Sequence, residues 1–156
     1  MRSLLLVLFL FGVLGAGSEL ILLSHYEDPW QLVPLGMIVL SLAVLAVRLF
    51  RNDARVLRVF QVCMLLFVAA GVLGVYLHYQ SNVEFELEMN PAAAGWELIR
   101  ESLSGAMPAL APGTMVYLGL IGLLYTWRHP IFSASRNRTN VSLETGAANP
   151  SHEEQQ

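Results

Sequence analysis

The sequence predicts an all-α membrane protein: a four-helix transmembrane bundle with a short interfacial segment and helix between its third and fourth helices. Three observations predict it. Hydrophobic residues make up 55% of the chain and charged residues only 13%, more apolar side chain than a soluble domain of 156 residues could cover. The apolar residues gather into four long runs separated by short polar blocks. All nine basic residues are arginine, and they fall almost entirely in alternate blocks. Arg48, Arg51, Arg55 and Arg58 crowd the hinge between the second and third runs. Guanidinium groups are costly in hydrocarbon and are enriched in cytoplasmic loops, so this hinge is expected on the cytoplasmic face.

The first run, Leu4 to Leu23, is about as long as a helix needs to cross the hydrocarbon core. Met1-Arg2, the apolar stretch Leu4 to Leu14 and the small residues Gly15 to Ser18 also suit a signal peptide cleaved after about residue 17. The run resumes after Glu19 as Leu20-Ile21-Leu22-Leu23, which outruns a typical signal core and favours a retained anchor. In the connection that follows, Asp28 suits an N-cap, Pro29 a first helical position and Gln31 a capping-box partner. Tyr26 and Trp30 fit an interfacial aromatic belt. The second helix is expected over 30–50 and the third over 56–79, with Asn52 or Asp53 as the cap of the third.

The longest connection contains Val83-Glu84-Phe85-Glu86-Leu87-Glu88-Met89, a strict alternation of apolar and acidic residues. Period two predicts a short extended segment with Glu84, Glu86 and Glu88 on one face. Like charges along one face repel, and Arg100 is the nearest cation in the sequence to offset them. Asn90-Pro91 then predicts a short interfacial helix to about Ser104, with Trp96, Ile99 and Leu103 at helical spacing. The fourth helix is expected over 108–127, with Gly113, Gly119 and Gly122 as a smooth packing face, and Arg128-His129-Pro130 stops it. Gly12-x-x-x-Ala16 and Ala70-x-x-x-Gly74 are further small-residue pairs that let helices approach closely. Residues 1–130 thus form the transmembrane domain. The remainder, 131–156, is too polar to bury a core and is expected to be a disordered cytoplasmic tail, where the sequons at Asn137 and Asn140 lie on the wrong side for glycosylation.

With this layout Arg2, Arg48, Arg51, Arg55, Arg58, Arg128, Arg136 and Arg138 lie inside and Arg100 alone lies outside. Eight to one is a strong positive-inside asymmetry, expected of a plasma membrane (the inner membrane of a bacterium) with both termini cytoplasmic.

Chemistry is far less constrained. Glu19 is an ionisable group within an apolar run, as a proton-coupled carrier would need, but it lies about one turn from the outer end, where it can snorkel. His25 and His78, with Glu84, Glu86 and Glu88, converge on the outer face and could take a metal or haem. No metal-ligand spacing supports that, and exposed interfacial histidines are the plainer reading. Steps of three, four and three would align Arg48, Arg51, Arg55 and Arg58 on one helical face able to hold lipid headgroups, although setting orientation explains them equally. The single cysteine, Cys63, excludes an internal disulfide. The sequence carries no phosphate loop, metalloprotease motif, nucleophile elbow or nucleic-acid motif. The expectation is therefore a non-enzymatic accessory or scaffold subunit without cofactor. Its partners would be the bilayer and a larger membrane protein or a second copy of itself. A small ion- or proton-coupled transporter using Glu19, and metal or haem binding through His25 and His78, are the alternatives.

Overall fold

The computed structural model describes residues 1–134 other than Asn52 and Ala106, and among these the chain is helical with no strand. Five helices follow in order: α1 (Arg2–Leu22), α2 (Leu32–Phe50), α3 (Ala54–Met89), α4 (Gly95–Leu103) and α5 (Gly113–Thr126). Three of them, α1, α2 and α3, are long and apolar enough to cross a membrane.

Their ends follow from local chemistry. α1 closes in a Schellman turn: Ser24 adopts a left-handed φ of 53°, its N–H donates to Ile21 O, and His25 N–H donates to Leu20 O at 2.8 Å. Before α2, the side chain of Gln31 accepts from Glu27 N and Asp28 N, while Asp28 Oδ1 accepts from Trp30 N at 2.8 Å. The capping residues read from the sequence therefore interact, but the first turn is 3₁₀-like and the α-helix begins at Leu32. Asp53 caps α3 by accepting from Arg55 N at 3.1 Å, while the rival cap Asn52 lies outside the described residues.

Several expectations need correction. Val83 to Met89 is not an extended segment but the last turns of α3, which runs unbroken for 36 residues. Glu, Leu and Met are good helix formers and no Gly or Pro falls between Gly74 and Pro91. Extending an existing helix adds a hydrogen bond per residue, whereas a lone strand leaves its backbone unpaired. The following helix starts at Gly95, at a left-handed φ of +62°, and not at Pro91, because Asn90 Oδ1 accepts from Ala92 N and caps a turn instead. The fourth apolar run is also shorter as an α-helix than expected: Pro108 to Pro112 form turns, and α5 has 14 residues. Residues 130–134, at the start of the segment expected to be disordered, form one more helical turn whose Ile131 and Phe132 pack against the core. The rest of that segment, with Arg136, Arg138, Asn137 and Asn140, lies outside the described residues.

α5 and α3 form a central pair, with α1 packed on α5 and α2 packed on α3, while α1 and α2 scarcely touch. Phe9 of α1, Phe60 and Phe67 of α3 and Tyr125 of α5 link three helices in the core, with edge-to-face pairs at 5.5 Å (Phe9–Phe60) and 6.0 Å (Phe60–Tyr125). Gln61 Nε2 donates to Thr126 Oγ1 at 3.2 Å between α3 and α5. Glycines set how close these two helices come. A Cβ on Gly119 would lie 2.8 Å from the backbone oxygen of Met64, and one on Gly71 would lie 2.7 Å from the backbone nitrogen of Val116. Gly119→Ala must push α5 off α3 and is expected to destabilise the fold by about 1–3 kcal/mol. Gly113→Ala, where nothing lies within 4 Å, should be neutral. Denaturant titration in detergent micelles measures both.

Candidate functional site: a histidine pair at the acidic end

The end of the molecule formed by the α1–α2 connection, the last turns of α3, and α4 collects most of the chain's acids and two of its histidines. The Schellman turn after α1 fixes where His25 emerges, and α3 presents His78 from about its seventh turn. Their rings approach to 6.4 Å between centroids, tilted by 55°. His78 Nδ1 lies 3.3 Å from Pro108 O. A carbonyl only accepts, so Nδ1 is the donor of this contact, and Nε2 is left to face another partner.

One turn along α3, Asn82 is 1% exposed and holds the same strand of loop. Its Nδ2 donates to Ser102 O at 2.9 Å and to Met107 O at 2.6 Å, and its Oδ1 accepts from Met107 N at 3.0 Å. Gly105 admits this clamp, since a Cβ there would sit 2.9 Å from the Asn82 side chain. His78 and Asn82 together strap the α4–α5 connection to α3, four residues apart on one helical face. Sequence reasoning missed Asn82 because the third helix was ended at Tyr79. Continuing the 3.6-residue period from Gly71 would have placed it on the inward face.

The other expected residues stay apart from the histidines. Glu19 is exposed on α1, and its side chain makes no hydrogen bond or ion pair among the described residues. Glu84 and Glu88 are exposed one turn apart on α3, and Glu86 is half-buried on another face. Arg100 does not offset them: it pairs with its neighbour Glu101 instead. Among the described residues no three or more metal-ligating side chains cluster. Two imidazoles therefore offer part of a metal site, with the second-sphere hydrogen bond that orients such ligands already made at His78.

Nor do the four hinge arginines share a face. Helix α2 ends at Phe50, Arg51 and Asp53 are extended, and α3 restarts at Ala54, which breaks the register. Arg51, Arg55 and Arg58 are exposed, while Arg48 is half-buried beside Tyr125. No family model, curated protein or solved structure matches the chain.

Burial, and then the neighbouring His78, hold the pKa of His25 below its ordinary 6.5. The unfolded chain thus protonates His25 before the folded one does, so this group favours folding above about pH 6.5 and the benefit fades as pH falls through its lowered pKa. The thermal midpoint in detergent is expected to drop between about pH 7.5 and pH 5. In His25→Gln that drop should be smaller, and a drop of equal size would place its origin elsewhere.

Proposed function

We propose that the chain is a four-span integral membrane protein with both termini in the cytoplasm, working as a non-enzymatic accessory or scaffold subunit of a plasma-membrane complex. The four-span layout is supported by the arginine asymmetry and by the backbone around α5. One-turn bonds such as Ala111 N to Pro108 O and Met115 N to Pro112 O precede the helix, and His129 N to Thr126 O follows it. With α5 these turns bring residues 108–127 to a length suited to hydrocarbon, with most of their backbone N–H groups paired.

The observation that carries the accessory role is the overhang of α3. Its 36 residues make a rod of about 54 Å against a hydrocarbon core of about 30 Å. The excess projects on the acidic side, braced by α4 through Asn82. Glu84 and Glu88 lie along this arm, and α4 beside it exposes Trp96, Ile99 and Leu103 at helical spacing. A rigid post with an acidic face and an apolar edge suits a protein partner bearing cations. In mild detergent the wild-type chain should run as part of a larger assembly by light scattering. The pair Glu84→Lys and Glu88→Lys should cut the assembled share by about tenfold, since like charges facing a cationic surface are strongly unfavourable. A wild-type chain found only as a lone monomer would sink the reading.

The approach of His25 to His78 favours a second reading, a metal or haem held at the outer face. Elemental analysis and a visible spectrum of the purified protein test it. A stoichiometric metal or a Soret band lost in His25→Ala and in His78→Ala supports it, and their absence from the wild type ends it.

A further inference from the structure

At the arginine-rich end, α1 and α2 splay apart and leave an open apolar groove of about 450 Å³. Leu6 and Leu10 of α1 and Leu42 and Leu45 of α2 line its length, and Tyr125 of α5 lines it too. Its polar element is Arg48, two residues before the end of α2. Unlike Arg51, Arg55 and Arg58, which reach water, Arg48 turns inward, and its Nε is shielded from solvent with no hydrogen-bond partner among the described residues. Buried donors are nearly always paired, so an orphaned guanidinium N–H asks for an acceptor.

Two more basic groups stand near it. Arg2 Nη2 donates to the carbonyl oxygens of Arg128 at 2.6 Å and Trp127 at 3.4 Å, which anchors this guanidinium over the end of α5. The His129 ring packs edge-on against Tyr125 at 5.9 Å. His129 thus stands on the same Tyr125 that lines the groove with Arg48, and it follows Arg128, whose carbonyl holds Arg2. The acid nearest in the sequence, Asp53, is exposed and caps α3. Among the described residues no carboxylate forms an ion pair with Arg2 or Arg48.

We infer that this groove holds one anionic phospholipid, with an acyl chain between α1 and α2 and its phosphate on Arg48 and Arg2 beside His129. A soluble anion would match the basic pole alone, and a neutral lipid the groove alone. A molecule with an acidic head and a long hydrocarbon tail meets both, and basic pockets between membrane helices on the cytoplasmic side are where such headgroups bind. The inference rests on the membrane-spanning reading and is independent of the accessory role.

The test uses the full chain in mild detergent, with native mass spectrometry after adding phosphatidylglycerol or phosphatidylcholine of the same acyl composition. Wild-type protein should retain phosphatidylglycerol over phosphatidylcholine by about fivefold or more, and Arg48→Gln should lower that preference about fivefold. Arg58→Gln, an exposed arginine of α3, should leave it unchanged. Should Arg48→Gln not fold, Leu6→Trp fills the groove with every charge intact and should abolish the preference. Equal retention of the two lipids, or an equal loss in Arg58→Gln, overturns the proposal. So does phosphatidylglycerol retention that appears only after removal of residues 135–156, because the tail with Glu144, Glu153 and Glu154 would then be the occupant. A chain that stays in solution without detergent defeats the membrane reading instead, so the two failures are distinguishable.

Discussion

Close contact between α3 and α5 is the constraint from which the rest of the arrangement follows. In the proposed membrane-spanning setting there is little hydrophobic drive between helices, so association depends on how near two backbones can come and how many atoms then touch. Gly71 and Gly119 remove the side chains that would hold these backbones apart, since a Cβ at either would meet main-chain atoms of the facing helix. With that pair set, Phe60 and Phe67 of α3 and Leu118 and Tyr125 of α5 make the surface on which Phe9 of α1 and Leu45 of α2 settle. The two outer helices are thus each fastened mainly to the spine and only sparsely to one another. The groove between α1 and α2, with its inward arginine, is a by-product of that geometry.

Much of the helical layout was legible in the residues. Apolar runs long enough to span, an aspartate cap at Asp53 and a proline stop after His129 are all local signals, and local signals survive folding. The places where sequence reasoning went astray were places where two local rules competed. Alternation at Val83 to Met89 matched a strand, but the segment continues a helix with nothing to end it, and continuation won. Pro108 and Pro112 allowed a helix start at either position. The clash of a proline ring with the preceding turn left 108–112 as successive turns and delayed α5 to Gly113.

The functional features were less legible because they depend on contacts distant in sequence. Nothing near His25 reveals that a ring 53 positions later lies against it, and nothing near Asn82 reveals the backbone of Ser102 and Met107 that it grips. The arginines illustrate the same point in reverse. Their spacing suggested a common face, yet the break at Arg51 sends Arg48 inward while its three companions reach water. Arg2 and His129, which spacing could not connect with Arg48, are the residues the fold gathers beside it.

The sparse contact between α1 and α2 also bears on how the molecule is made. These two helices precede α3 and α5 in the chain, yet the faces of Phe9 and Val13 are covered by α3 and α5. Until α5 follows, the α1–α2 hairpin is held together chiefly by its connecting turn, so the packing of α1 waits for α5. A chain lacking α5 would leave the small-residue seam of α3 around Gly71 uncovered.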